Sequence, residues 1–126
     1  MDRMILYACS DLLWATRVKA AAEALGIPAR PVRSVEMLQA RLADSAPGAL
    51  IVDLETGSLG IDLIRWAVSA GGLRVVAFGP HVEVDALSAA REAGAHRVLS
   101  RGAFADRLPD LLRELGGAGG AGQVSP

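Results

Sequence analysis

Asp53 closes the apolar run Leu50 to Val52, after which the chain turns polar through Glu55, Thr56, Gly57 and Ser58. A carboxylate at the carboxyl end of a buried strand stands where open α/β sheets gather their ligands, so Asp53 is a candidate for chemistry. The same position suits a carboxylate that only holds a loop. Other reactive side chains are few. Cys9 is the one cysteine, which excludes an internal disulfide and offers no metal-ligand spacing, and His81 and His96 stand apart from it. Near a helix start, Cys9 suits a redox or metal-sensing thiol, or a small buried filler. The spacing of His81, Glu83 and Asp85 matches no single helix face or strand face and reads as a solvated loop ahead of a helix. His96 falls in a turn facing water. No G-x-G-x-x-G fingerprint follows the first strand, and no P-loop occurs.

These residues need elements to position them. Met4 to Ala8 reads as a short buried strand, and Ser10 then caps a helix with Leu13, Val18, Ala21, Ala22 and Leu25 on its stripe and Gly26 as its stop. Pro28 and Pro31 bracket a brief extended piece ending at Val32. Ser34 opens a second helix carrying Val35, Leu38 and Leu42, and ALIVD (Ala49 to Asp53) forms the third strand. GIDLIRWAVSAGG reads as a helix, LRVVAFG as a strand, VEVDALSAAREAG as a helix, HRVLS as a strand and FADRLPDLLREL as the last helix. That last helix is expected to begin near Asp106, which leaves Pro109 in its first turn.

Short apolar strands alternating with helices across short connections require parallel strands and right-handed crossovers. The expected fold is α/β: a doubly wound, five-stranded parallel sheet with five helices, in three layers. One domain over residues 1–115 is expected, with 116–126, GGAGGAGQVSP, as a flexible glycine-rich tail. Hydrophobic residues make up 52% of the 126 but aromatics only 4%, so the core is built of Ala, Val, Leu and Ile. The formal net charge is −1 and the 13 basic residues are scattered, which indicates neither a nucleic-acid nor a membrane surface. LYAC (Leu6 to Cys9) has the look of a lipoprotein cleavage site, but the apolar run is too short for a signal peptide. A cytoplasmic protein is expected.

In this fold, function is read from the residues that close each strand. They are Cys9, Ser10 and Asp11 after the first, Asp53 after the third, Gly79, Pro80 and His81 after the fourth, and Ser100, Arg101 and Gly102 after the fifth. Amide donors near Ser10, Asp53, Gly79, Ser100 and Arg101 suit a weak anion or ligand site. On the third helix Ile61, Ile64 and Val68 form the expected core stripe, while Leu59, Leu63, Trp66 and Ala70 follow a different arc. Trp66, with Leu63, is therefore a candidate partner anchor, or else a cover over the second helix near Met37. Trp14 raises the same question.

Two stretches carry a family likeness. AAREAGAHRVLSRGAF (Ala89 to Phe104) resembles the A-x-x-A-G-A-x-x-Y-L-x-K-P-F segment of CheY-like receiver domains of bacterial response regulators. LIVDLETGSLGIDLIR is similar to that family's third strand, phosphoacceptor aspartate and M-P-x-M-D-G-x-E-L segment. The likeness covers about residues 3 to 115 and implies a flavodoxin/CheY-like three-layer sandwich.

It also implies a role in two-component signalling and the phosphorelay, with Asp53 as phosphoacceptor and Arg101 in the place of the family's lysine. The family's acidic pair for Mg²⁺ falls on Cys9 and Ser10 here, with Asp11 one step further on and Glu55 as a further helper. Its strand-four hydroxyl falls on Gly79, its strand-five aromatic on Val98, and its M-P on Thr56 and Gly57. These departures favour Asp53 paired with Arg101 as a fixed charge pair. The expectation is a stand-alone, atypical receiver that is no enzyme, needs no cofactor, and acts by protein–protein interaction or as a homodimer, through about Val82 to Leu115. The alternative is a single-domain response regulator phosphorylated on Asp53 by a histidine kinase, with Mg²⁺ held by Asp53 and Asp11.

Overall fold

The computed structural model describes residues 3–116. Its elements alternate: β1 (Ile5–Ala8), α1 (Leu12–Ala24), β2 (Ala29–Pro31), α2 (Val35–Asp44), β3 (Ala49–Asp53), a 3₁₀ turn (Leu54–Thr56), α3 (Ser58–Ala70), β4 (Arg74–Gly79), α4 (Val84–Glu92), β5 (Arg97–Ser100) and α5 (Arg101–Gly116). All strand pairs are parallel, in the order β2-β1-β3-β4-β5. This is the expected doubly wound sheet with five helices.

Successive strand residues face opposite sides, so each strand feeds two cores. Ile5, Tyr7, Ala49, Ile51, Val76 and Phe78 meet α1 and α5 on one face. Leu6, Ala8, Leu50, Val52, Val75 and Ala77 meet α2, α3 and α4 on the other. Burial on both faces is why the three central strands read as unbroken apolar runs. β2 is a three-residue edge strand, where Pro31 is tolerated because only one side of the strand is paired.

Several expectations change. Trp14 is a core residue: its ring lies 5.1 Å from Phe78 and 5.8 Å from Phe104, and those two stack at 3.9 Å. Leu12 and Leu13 face out instead, at 79% and 61% exposure. On α3 the buried set is Gly60, Leu63, Ile64 and Ala67, so Leu63 is core and no surface anchor, while Val68 lies at the margin. Gly60 sits there because an added Cβ would collide with Thr56 Oγ1 and come within 2.9 Å of Val52.

The last helix begins at Arg101, not near Asp106, and Pro109 lies inside it. Buried Phe104, Leu108, Leu111, Leu112 and Leu115 hold this helix on the sheet across the break in its hydrogen bonding. Gly116, expected in the tail, closes α5 instead. An added Cβ there would come within 2.7 Å of Ile27 and 3.0 Å of Ile5. The rest of the expected tail, 117–126, lies outside the described residues.

Candidate functional site

The strand ends converge at one edge of the sheet. Asp53 is the last residue of β3 and is wholly buried. Its Oδ1 accepts from the Glu55 amide at 3.0 Å, which caps the 3₁₀ turn, and Thr56 Oγ1 donates to the Asp53 carbonyl at 2.6 Å. Its Oδ2 is enclosed without a hydrogen-bond partner. Burial raises the Asp53 pKa. The bond from the Glu55 amide opposes that rise, the Glu55 charge adds to it, Arg101 opposes it and Asp11 adds slightly.

The expected Asp53–Arg101 pair does not form. Arg101 Nη2 lies 2.7 Å from Glu55 Oε2 instead, a close ion contact set off the line of a hydrogen bond, and Arg101 Nε is buried without a partner. The reason is depth. Asp53 is sealed under its own turn, whereas Glu55 stands at the half-exposed mouth where the first residue of α5 can reach it. The Arg101 guanidinium also lies 5.8 Å from the Trp14 ring centre, with Arg17 at 4.8 Å from the same ring.

The other predicted residues serve mainly as structure. Asp11, rather than Ser10, caps α1 and accepts from the Leu13 amide at 2.8 Å; Ser10 is exposed beside it. Ser100 Oγ accepts from the Ala103 amide at 3.2 Å, at the start of α5. Gly79 ends β4, and an added Cβ would lie 3.3 Å from Leu54 Cβ, so Leu54 fills the space that a side chain at 79 would take. The Cys9 thiol is pushed up to about 12, by burial first and then by the Asp53 and Asp11 carboxylates. A thiol held neutral in this way is a poor nucleophile and a poor ligand.

Mg²⁺ requires several oxygen ligands in near-octahedral array. Asp11 is engaged as a cap, Cys9 is held neutral and Asp53 has one free but enclosed oxygen, so this donor set does not fit the ion. Among the described residues, no group of three or more His, Cys, Asp or Glu side chains is arranged to hold a metal. His96 is not simply a solvated turn residue: Val75 donates its amide to His96 Nδ1 at 2.9 Å, while the His96 amide donates to the Val75 carbonyl at 2.8 Å.

The open space lies to one side of Asp53. A hollow of 390 Å³ is bounded by Ser10, Glu55, Thr56 and Leu59, and one of 240 Å³ by Leu12, Ala15, Thr16 and Lys19; Cys9, Val32 and Arg33 border both. Sequence reasoning passed over Lys19 and Arg33 because no motif surrounds them.

No protein-family profile matches the chain, and no curated protein sequence matches it. Solved structures do. A response regulator from Thermotoga maritima is 17% identical with a TM-score of 0.74, over 91% of this chain and 98% of that one. NtrX from Brucella abortus is 20% identical with a TM-score of 0.75, over 91% of this chain but 27% of its own length. A beryllofluoride-activated NtrC4 receiver domain dimer is 14% identical with a TM-score of 0.68, over 89% of this chain and 98% of that one. This chain therefore has the fold of response-regulator receiver domains. Among the described residues no helix is long and apolar enough to cross a membrane.

Proposed function

We propose that this chain is an atypical receiver that signals by binding protein, without phosphoryl transfer and without a metal cofactor. The observation that carries this reading is the enclosure of Asp53. Its side chain has no exposed surface, one oxygen caps its own turn, and the nearest cation is engaged by Glu55. An acyl phosphate needs room, cations and donors around the transferred group. Gly79, with Leu54 packed against it, supplies none of these.

Contact surface is available elsewhere. Trp66 is 47% exposed on α3, and Val82 and Val84 stand out just before and at the start of α4. Exposed large apolar side chains of this kind suit partner binding or self-association. One observation favours a second reading, phosphorylation of Asp53 by a histidine kinase: the unpartnered Oδ2.

Incubation with acetyl phosphate and millimolar Mg²⁺, read by intact mass, separates the two. No phosphoryl adduct is expected, and beryllofluoride with Mg²⁺ should leave the amide spectrum around Asp53 unchanged. An adduct that disappears in Asp53→Asn overturns the proposal. Photo-crosslinking from position 66, in cells, tests the interaction role directly. Crosslinks are expected from that position and should be weaker from the exposed Glu23 on α1.

A further inference from the structure

The larger hollow lies at the switch point of the sheet and meets the smaller one at Cys9, Val32 and Arg33, past the ends of β1 and β2. α1 leaves β1 for one face and α3 leaves β3 for the other, which opens a crevice between the two strand ends. Ser10, Thr56 and Glu55 stand at that opening, and the crevice continues over β2 to Arg33 and across to Lys19 on α1.

The charges there are unbalanced. The crevice has one carboxylate, Glu55, and Arg101 already engages it at 2.7 Å. Arg33 and Lys19 take part in none of the ion pairs among the described residues. The apolar wall is uncovered at Leu12, which borders the 240 Å³ lobe and is 79% exposed, with half-buried Ala15 and buried Val32 beside it. Two uncommitted cations next to an apolar wall in a concave site match the make-up of small-ligand pockets.

The geometry points to a binding site for a small organic anion: its anionic group between Arg33 and Lys19, its apolar body against Leu12, Ala15 and Val32. The site does not depend on whether Asp53 accepts phosphate, because Asp53 borders neither hollow. Arg33 stands two residues past the end of β2 and Lys19 within α1, so an occupant would tie the segment after the edge strand to the first helix.

The test is amide NMR of the full chain titrated with benzoate, phenyl phosphate, inorganic phosphate and uncharged benzyl alcohol. Benzoate and phenyl phosphate should give saturable shifts centred on Leu12, Thr16 and Arg33. Benzyl alcohol should not, and inorganic phosphate should bind more weakly for want of the apolar contact. A preference between benzoate and phenyl phosphate identifies carboxylate or phosphate as the favoured group. Arg33→Ala and Lys19→Ala should each weaken binding about tenfold. Both side chains are exposed and the dispersion of each spectrum reports the fold, so a loss of binding is separable from unfolding. The inference is overturned if no anionic probe shifts these residues at millimolar concentration. It is equally overturned if benzyl alcohol binds as well, or if both folded variants bind like the wild type.

Discussion

Arg101 makes its ion contact with Glu55, with Nη2 and Oε2 2.7 Å apart, so the cation at the strand edge pairs at the mouth and the buried Asp53 has no ion pair of its own. Both partners are partly exposed, and pairs of that kind contribute about 0–1 kcal/mol. Glu55→Gln should therefore change the unfolding midpoint little. Its visible effect should be electrostatic: removal of the Glu55 charge lowers the Asp53 pKa, and Arg101→Gln raises it. Carbon-detected carboxyl titration of Asp53 in the two variants measures both signs, and shifts in the same direction would refute the arrangement.

Asp53 also sets a pH dependence. Its folded pKa is raised above 3.8, so between that value and the folded pKa the native state binds more protons than the unfolded chain. Stability from this group is present below the unfolded pKa and is lost as pH rises through the folded pKa. Asp53→Asn lacks that loss. Denaturant unfolding at several pH values should show the wild type falling relative to the Asn variant from about pH 4 upward. A wild type that gains on the variant over that range would mean that Asp53 is stabilised as a carboxylate.

Gly79 and Leu54 share one space. Gly79→Ser places a Cβ 3.3 Å from Leu54 Cβ in a buried position and should destabilise by about 1–3 kcal/mol. Leu54→Ala alone should cost roughly 2 kcal/mol or more as a cavity. The double variant should cost less than the two single changes together, with a coupling above about 0.5 kcal/mol, because the smaller residue admits the serine. Additive costs in guanidinium unfolding would show that Leu54 does not fill the site.

The sheet was legible because its central strands are buried on both faces, and Gly26 and Gly94 mark helix ends where positive φ favours glycine. Depth and side-chain reach were not. Strand-end reasoning brought Asp53 and Arg101 to one edge but had no means of knowing that the 3₁₀ turn seals one and leaves the other at the mouth. On α1, residues 12, 13 and 14 are all apolar, and contact with Phe78 and Phe104, far along the chain, selects Trp14. On α3 the buried residues 60, 63, 64 and 67 do follow helical spacing, but Gly60 carries no hydrophobic signal. The bond from Val75 to His96 leaves no trace in local sequence.

Pro109 bears on how α5 is held. The residue is exposed and lies in the middle of a 16-residue helix, where proline has no amide to give the Ala105 carbonyl. A proline in a helix interior costs about 3 kcal/mol relative to alanine. Its stiffening of the unfolded chain returns about 1 kcal/mol of that. Pro109→Ala should therefore stabilise the protein by about 1–2 kcal/mol, visible as a higher denaturation midpoint with an unchanged denaturant slope. Slower amide exchange from Leu108 to Leu115 should accompany it, since the turn regains its missing bond. A lowered midpoint would show instead that Leu108, Leu111 and Leu112 depend on the helix path that the proline imposes, and that the core under α5 is fitted to a bend.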